Sequence, residues 1–162
     1  MKLILLIHGA NLNMLGKRDQ SHYGTLTLKE LEAHVANVGK THGFKVKAFQ
    51  SNFEGGIIDF LQKNASKASG IIINPGAYTH YSYAIHDALL DTGLPAIEVH
   101  LSNVTEREDW RAKSVIAPAC VAVFAGEKEK SYEKAVNELA KLSSPSTKHE
   151  TLNPKQNPNQ KS

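Results

Sequence analysis

The chain has a single cysteine, Cys120, so no intramolecular disulfide can form; the disulfide-scaffold class is excluded and the composition suits a reducing compartment. Set in the apolar stretch APACVAVFA, that thiol reads as a core residue rather than a nucleophile. No apolar run approaches the roughly 20 residues of a membrane span. MKLILLIHGAN is broken early by His8, Gly9 and Asn11, and no small-residue cleavage site follows it, so a first strand of a cytoplasmic protein without membrane association is expected. A basic stripe is also missing: the formal charge is +3 and Lys and Arg are scattered, which excludes a nucleic-acid footprint and leaves room for a small anion.

Familiar cofactor signatures are absent too. Neither a Gly-x-Gly-x-x-Gly turn nor a Walker lysine follows the first apolar run, so the usual dinucleotide and P-loop cradles are not expected. Asn11 and Asn13 stand where a magnesium-binding receiver would carry paired acids. No His-Glu-x-x-His occurs, and His80 and His86 are six apart, off a common helical face. The expectation is a site with no metal and no cofactor.

What is present is a regular alternation. Leu3–Ile7 reads as a strand buried on both faces. Thr27 precedes Leu28, Leu31, Val35 and Val38 at helical spacing, with Glu30 placed for a capping box and Gly43 past the end. Strands are expected at Val46–Ser51, Ile71–Ile73, Ala96–Val99 and Val121–Ala125. Helices are expected at Gly55–Ser66, Tyr81–Asp91, Glu106–Arg111 and Ser131–Leu142. Such βα units favour a flavodoxin-like three-layer α/β sandwich with a five-stranded parallel sheet in the order 2-1-3-4-5. One catalytic domain over residues 1–142 is expected. The polar, proline-bearing segment 143–162 has too little apolar surface to offset its ordering entropy and is expected to be disordered.

In such a sheet, ligands bind beyond the carboxyl ends of the strands where the strand order reverses. That edge collects His8, Asn11, Asn13, Asn52, Asn74, Gly76, His80, His100 and Ser102, and the reversal should bring Asn11 and Asn74 face to face. Turn formation alone accounts for Asn74-Pro75-Gly76, so each asparagine by itself leaves structural and functional readings open. The connection from Gly9 to Leu26 exceeds the roughly 2–6 residues of an ordinary βα loop, which marks it as a lid or binding loop. It carries Lys17, Arg18, His22 and Tyr23. A free phenol ionises near pH ~10, so using it as a base at neutrality costs about 4 kcal/mol. A guanidinium within ~4–6 Å offsets that cost. Arg18 beside Tyr23 would supply a base, and His100 an acid.

These residues carry a resemblance. GANLNMLGKRDQSHYGTLTL, QSNFEGGIIDFL, IIINPGAYTHYSYAIHDAL and IEVHLSNVTEREDWRAKSVIAPAC resemble, in order and spacing over residues 3–142, the signature blocks of type II 3-dehydroquinate dehydratase. The resemblance implies a lyase of the shikimate pathway that dehydrates 3-dehydroquinate to 3-dehydroshikimate by cofactor-free anti elimination through an enolate, in a homododecamer built from trimers. By position, it implies Tyr23 as the base and Arg18 as the lid residue promoting its phenolate. Asn11 is implied to hold a water near the enolate oxygen, His100 to be the general acid, and Glu98 to orient it. Asn74, His80, Leu101, Ser102 and Arg111 resemble the substrate-binding set, and Asp87 a position that reaches a neighbouring subunit's site.

Three stretches depart from the family pattern. Ala10 replaces a usual proline, Asp19-Gln20 a common Glu-Pro, and AGEKEKSY a usual Gly-Phe-Gly after the fifth strand. Read without the resemblance, Glu98 pairs with a nearby cation, Ser102 caps a turn, Arg107 and Arg111 form a solvated helix face, and His22 is lid surface. A flavodoxin-like module that binds a small anion or nucleotide without turnover is the rival class.

Overall fold

The structure, a computed structural model, describes residues 1–103, 106 and 108–144. Five strands, β1 (Lys2–His8), β2 (Phe44–Gln50), β3 (Gly70–Asn74), β4 (Ala96–His100) and β5 (Ala122–Ala125), form one parallel sheet in the order β2-β1-β3-β4-β5. The helices are α1 (Gln20–Tyr23), α2 (Leu28–Thr41), α3 (Glu54–Asn64), α4 (Tyr83–Thr92) and α5 (Glu129–Ser143). This is the expected flavodoxin-like sandwich.

Residue parity along the strands decides which helices cover which face, because successive side chains point to opposite sides. Ile4 and Leu6 of β1, with Ile72, Ile97 and Val99, pack against Leu31 and Val35 of α2 and Tyr132, Val136 and Leu139 of α5. Leu5 and Ile7, with Ile71 and Ile73, pack against Ile57 and Leu61 of α3 and Ile85 and Leu89 of α4. Each fully buried Ile or Leu contributes about 1.5–3 kcal/mol by leaving water, so the two faces hold the sheet rigid and its strand ends in place.

The capping box at α2 forms as the sequence indicates: Glu30 N–H donates to Thr27 Oγ1, and Thr27 N–H donates to the Glu30 carboxylate at 2.8 Å. Elsewhere the boundaries move. α4 starts at Tyr83 behind its N-cap Ser82, because residues 76–80 form a separate 3₁₀ turn. Of the helix expected at Glu106–Arg111, a 3₁₀ turn at Asp109–Arg111 is present, while Arg107 lies outside the described residues. α5 runs through Ser143, one residue into the expected tail; residues 145–162 of that tail also lie outside the described residues. No described helix is long and apolar enough to cross a membrane.

The same parity corrects one expectation. His8 shares the face of Ile4 and Leu6, so its ring turns under the sheet toward α2 and α5 and does not reach the strand-end edge. It is fully buried, and neither ring nitrogen has a hydrogen-bond partner among the described residues. Burial pushes its pKa down to about 3, so the ring is neutral and the 3.6 Å approach of Nε2 to Glu32 is not an ion pair at neutral pH.

The linkage has a definite sign. As pH falls below the ordinary value of 6.5 the unfolded chain protonates this histidine while the folded chain resists until about pH 3. Stability should therefore fall with a slope approaching ~1.4 kcal/mol per pH unit from this group within that window. Burial raises the Glu32 pKa, which offsets the slope only in the carboxylate range. Urea unfolding of His8→Asn between pH 7 and 4 should give a flatter profile than the parent chain; parallel profiles would show that His8 is not the source.

Candidate active site

Two turns meet at the strand-end edge and need glycine to do so. A Cβ on Gly9 would stand 2.0 Å from the Pro75 carbonyl oxygen, and Gly76, at φ 61°, approaches the Ala10 carbonyl so closely that a Cβ there would lie 2.6 Å from it. Gly9 N–H donates to the Asn74 carbonyl at 2.7 Å and ties the turns together. Asn11 follows in the left-handed conformation (φ 68°) that asparagine tolerates, its N–H bonded to Asn52 Oδ1 at 2.9 Å. Asn11 and Asn74 thus line one cleft, as the strand reversal indicates.

The long β1 connection folds back over this cleft. Asp19 caps α1, accepting from Ser21 N–H at 2.9 Å and from the Ser21 hydroxyl at 2.6 Å. These bonds, that from the Ser21 side chain first, hold its carboxyl below the usual range. Arg18 and Tyr23, at the two ends of α1, both face the cleft. Arg18 Nη2 donates to the Tyr23 hydroxyl at 2.9 Å, and its Cζ lies 3.8 Å from the ring centroid, so the cation spans the ring and touches the phenol oxygen.

On the opposite wall, Glu98 and His100 are two apart on β4 and therefore share a face. His100 Nε2 meets Glu98 Oε1 at 2.6 Å. Glu98 is fully buried, a position that costs dearly for an unpaired charge. Burial works to raise its pKa. The hydrogen bonds and charge of His100, with bonds from Thr79 and Ser114, outweigh that and hold it below the usual carboxylate range. Thr79 Oγ1 donates to Oε1 and Ser114 Oγ to Oε2 at 2.9 Å. The result is an ionised carboxylate locked behind an imidazole.

Asn74 has the parity of Ile72, so its side chain lies on the α5 side. Its Nδ2 donates to the hydroxyl of Tyr132 at 2.9 Å, and its Oδ1 accepts from Gly76 N–H at 3.2 Å. Tyr132 is fully buried, which raises its pKa and keeps the phenol neutral. The donor-only Gly76 N–H fixes which end of the Asn74 amide is its oxygen, and the Tyr132 hydroxyl holds the other end in place. Tyr132→Phe should weaken binding of a cleft ligand about tenfold, the cost of misplacing one hydrogen-bonding amide. Calorimetric titration would read this, and unchanged affinity would separate Tyr132 from the site.

His80, Leu101, Ser102 and Arg111 complete the cleft. His80 Nδ1 is bonded to the Lys113 carbonyl at 2.8 Å and its ring stands edge-on to Trp110, whose face carries Arg111 at 4.0 Å. Arg111 is also held by Glu108, Nε to Oε2 at 2.7 Å. Asp87 is the one expected site residue set apart: it is exposed on α4, away from the cleft of this chain. Asn13 is exposed outside it, and Asn52 supports the Asn11 turn.

A lid carrying a cation and a phenol thus faces a buried carboxylate-imidazole pair across a cleft lined by amides. Comparison with known proteins gives this arrangement a family. The family model for class II dehydroquinases matches residues 2–140. The chain belongs to that family. The 3-dehydroquinate dehydratase of Clostridium beijerinckii is 50% identical over 143 residues, covering 86% of this chain and 98% of that one. The crystal structure of type II dehydroquinase from Butyrivibrio crossotus superposes with a TM-score of 0.82 at 44% identity, covering 85% of this chain and 97% of that one. The one from Propionibacterium acnes gives 0.83 at 37%, covering 87% and 97%.

Within this class II dehydroquinase, three supporting residues escape a reading of sequence alone: Thr79, Ser114 and Tyr132. Thr79 and Ser114 lie 19 and 16 residues from Glu98, and no spacing rule links them to it. Tyr132 could have been found from helix periodicity as a core residue of α5, though not as the partner of Asn74. The unusual Asp19 serves as a helix cap, and Ala10 lines the cleft. Cys120 is half-buried against the α3 and α4 core; burial, then the Glu98 charge, pushes its thiol up to about 12, far from a reactive thiolate.

Proposed function

We propose that this chain, as a class II dehydroquinase, dehydrates 3-dehydroquinate to 3-dehydroshikimate and water, with Tyr23 as base and His100 as acid, in one catalytic domain over residues 1–142. The observation that carries this assignment of roles is the 2.9 Å bond from Arg18 Nη2 to the Tyr23 hydroxyl at the wall of the cleft. The guanidinium thus donates directly to the oxygen that serves as the base. The phenolate takes the proton beside the ketone, and the electron pair of that C–H bond moves onto the ketone oxygen as an enolate. Asn11, on the turn after β1, is placed to hold a water against the developing charge.

Collapse of the enolate forms the carbon–carbon double bond and expels the tertiary hydroxyl, which leaves as water on receiving a proton from His100. Glu98, ionised behind Nε2, fixes the imidazole ring by the 2.6 Å hydrogen bond. Asn74, His80 and Ser102 bind the hydroxyl and carboxylate groups of the substrate together with the Leu101 backbone, and Arg111 adds positive charge at the rim. These residues need neither a metal nor a lysine imine to move the two protons. Asp87, exposed on α4, is assigned to a neighbouring subunit's cleft in a dodecamer of trimers, and a light-scattering mass in solution tests that assembly.

The assay is the rise in ultraviolet absorbance of the conjugated enone when the folded protein meets 3-dehydroquinate. The reading expects a rise that persists with chelator and with borohydride. A flat trace from folded protein, with ligand binding intact, would favour the binding module.

A further inference from the structure

Lys128 lies in the turn between β5 and α5 with its backbone at φ 53° and ψ −131°. That region crowds a Cβ and is ordinarily left to glycine. The turn itself makes no demand for a lysine. Its fixed contact is a backbone bond, Lys128 N–H to the Leu101 carbonyl at 3.0 Å, which glycine would make equally well. A side chain retained on a disfavoured backbone is to be explained by what the side chain touches.

It runs along the end of the lid. A methyl group built on Gly24 would lie 3.5 Å from Lys128 Cδ and 4.0 Å from Cγ, so the stem passes one methyl's width from the residue that ends α1. Lys128 also borders, with Ser21 and His22 of α1, a cavity of about 220 Å³ whose other side is Leu101 and Ser102 of the cleft. The lid needs such a hold. α1 is four residues long, and only its last residue, Tyr23, packs partly against the core, so its first turn at Gln20 to His22 has little packing of its own to hold it.

We propose that Lys128 is a latch, a positioning residue whose aliphatic stem keeps the lid helix closed and so seats Arg18 and Tyr23 against the cleft. The backbone bond to Leu101 anchors the latch to the substrate loop, and the stem passes alongside the end of the lid at Gly24. The kinetic consequence rests on the assignment of Tyr23 as base; the closure itself does not.

Two variants of the full chain test it. Lys128→Gly relieves the backbone and removes the stem, whereas Lys128→Met keeps an unbranched stem and removes the charge. Trypsin cleavage after Lys17 and Arg18, followed by mass spectrometry, reads how often the lid opens. For Lys128→Gly the latch predicts cleavage at least about fivefold faster, kcat lowered by a similar factor with KM within about twofold, and a thermal midpoint no lower than the parent's. Lys128→Met should behave as the parent chain in all three. Unchanged lid cleavage in Lys128→Gly would overturn the latch, as would equal defects in the two variants. Should the parent chain prove inactive toward 3-dehydroquinate, the assigned function fails while the cleavage ratio still decides the latch.

Discussion

Tyr23→Phe is expected to lower kcat by about 10²–10⁴ while affinity for the product 3-dehydroshikimate stays within about tenfold. The size of the effect follows from what the substitution removes. Phenylalanine keeps the ring that Arg18 covers at 3.8 Å, so the lid retains its cation–π contact and its packing. Only the hydroxyl oxygen is lost, and with it the proposed acceptor of the transferred proton. The residues proposed to bind substrate, Asn74, His80, Ser102 and Arg111, are not touched by the change. Enone-forming kinetics and calorimetry on one preparation separate the two quantities. A variant turning over within tenfold of the parent chain would remove Tyr23 from the base role.

His100→Gln should cost about as much, 10²–10⁴ in kcat, because the tertiary hydroxyl would then leave without a donated proton. Glutamine can still donate a hydrogen bond toward Glu98, so the buried carboxylate is not stranded and the fold should survive. Glu98→Gln is the companion test. One end of its side-chain amide would present a donor where Thr79 or Ser114 now finds an acceptor, a mismatch of about 1–3 kcal/mol in stability. The orientation of His100 would loosen, and kcat should fall by a smaller factor than in His100→Gln. Full activity in His100→Gln would assign the acid elsewhere. Circular dichroism of each variant confirms that the loss is chemical.

The layers of the fold were readable because burial imposes period and parity. The aliphatic run Leu3–Ile7, the Thr27–Glu30 box and the α3 positions Ile57 and Leu61 each announce their element. Parity also carries Asn74 toward α5 and hides His8, a distinction lost when strand-end residues are gathered only by position. Arg18 and Tyr23 were legible through the length of their loop and the chemistry of a cation beside a phenol. The short helix α1 that ends at Tyr23 was not, since four residues, three of them exposed, have no hydrophobic period to show.

Thr79, Ser114 and Tyr132 were illegible for another reason. Each meets its partner across a crossover, so the contact exists only once the sheet has assembled. The resemblance supplied Glu98 and Asn11 with roles; the structure adds the buried hydroxyls that would make the role of Glu98 workable. Lys128 shows the converse case. A charged residue in a polar turn looks unremarkable until its backbone angles and its distance from Gly24 are known.

The central claim is that Arg18 makes Tyr23 usable as a base near neutrality. The most direct measurement is the pH dependence of kcat/KM for Arg18→Leu, with Arg18→Leu/Tyr23→Phe as control. The account predicts a large loss at pH 7 in the single variant that recovers steadily, about tenfold per unit, as pH rises toward the range near ~10 where a free phenol ionises, and no recovery in the double variant. An Arg18→Leu profile that stays flat, or that matches the parent chain at pH 7, would contradict it.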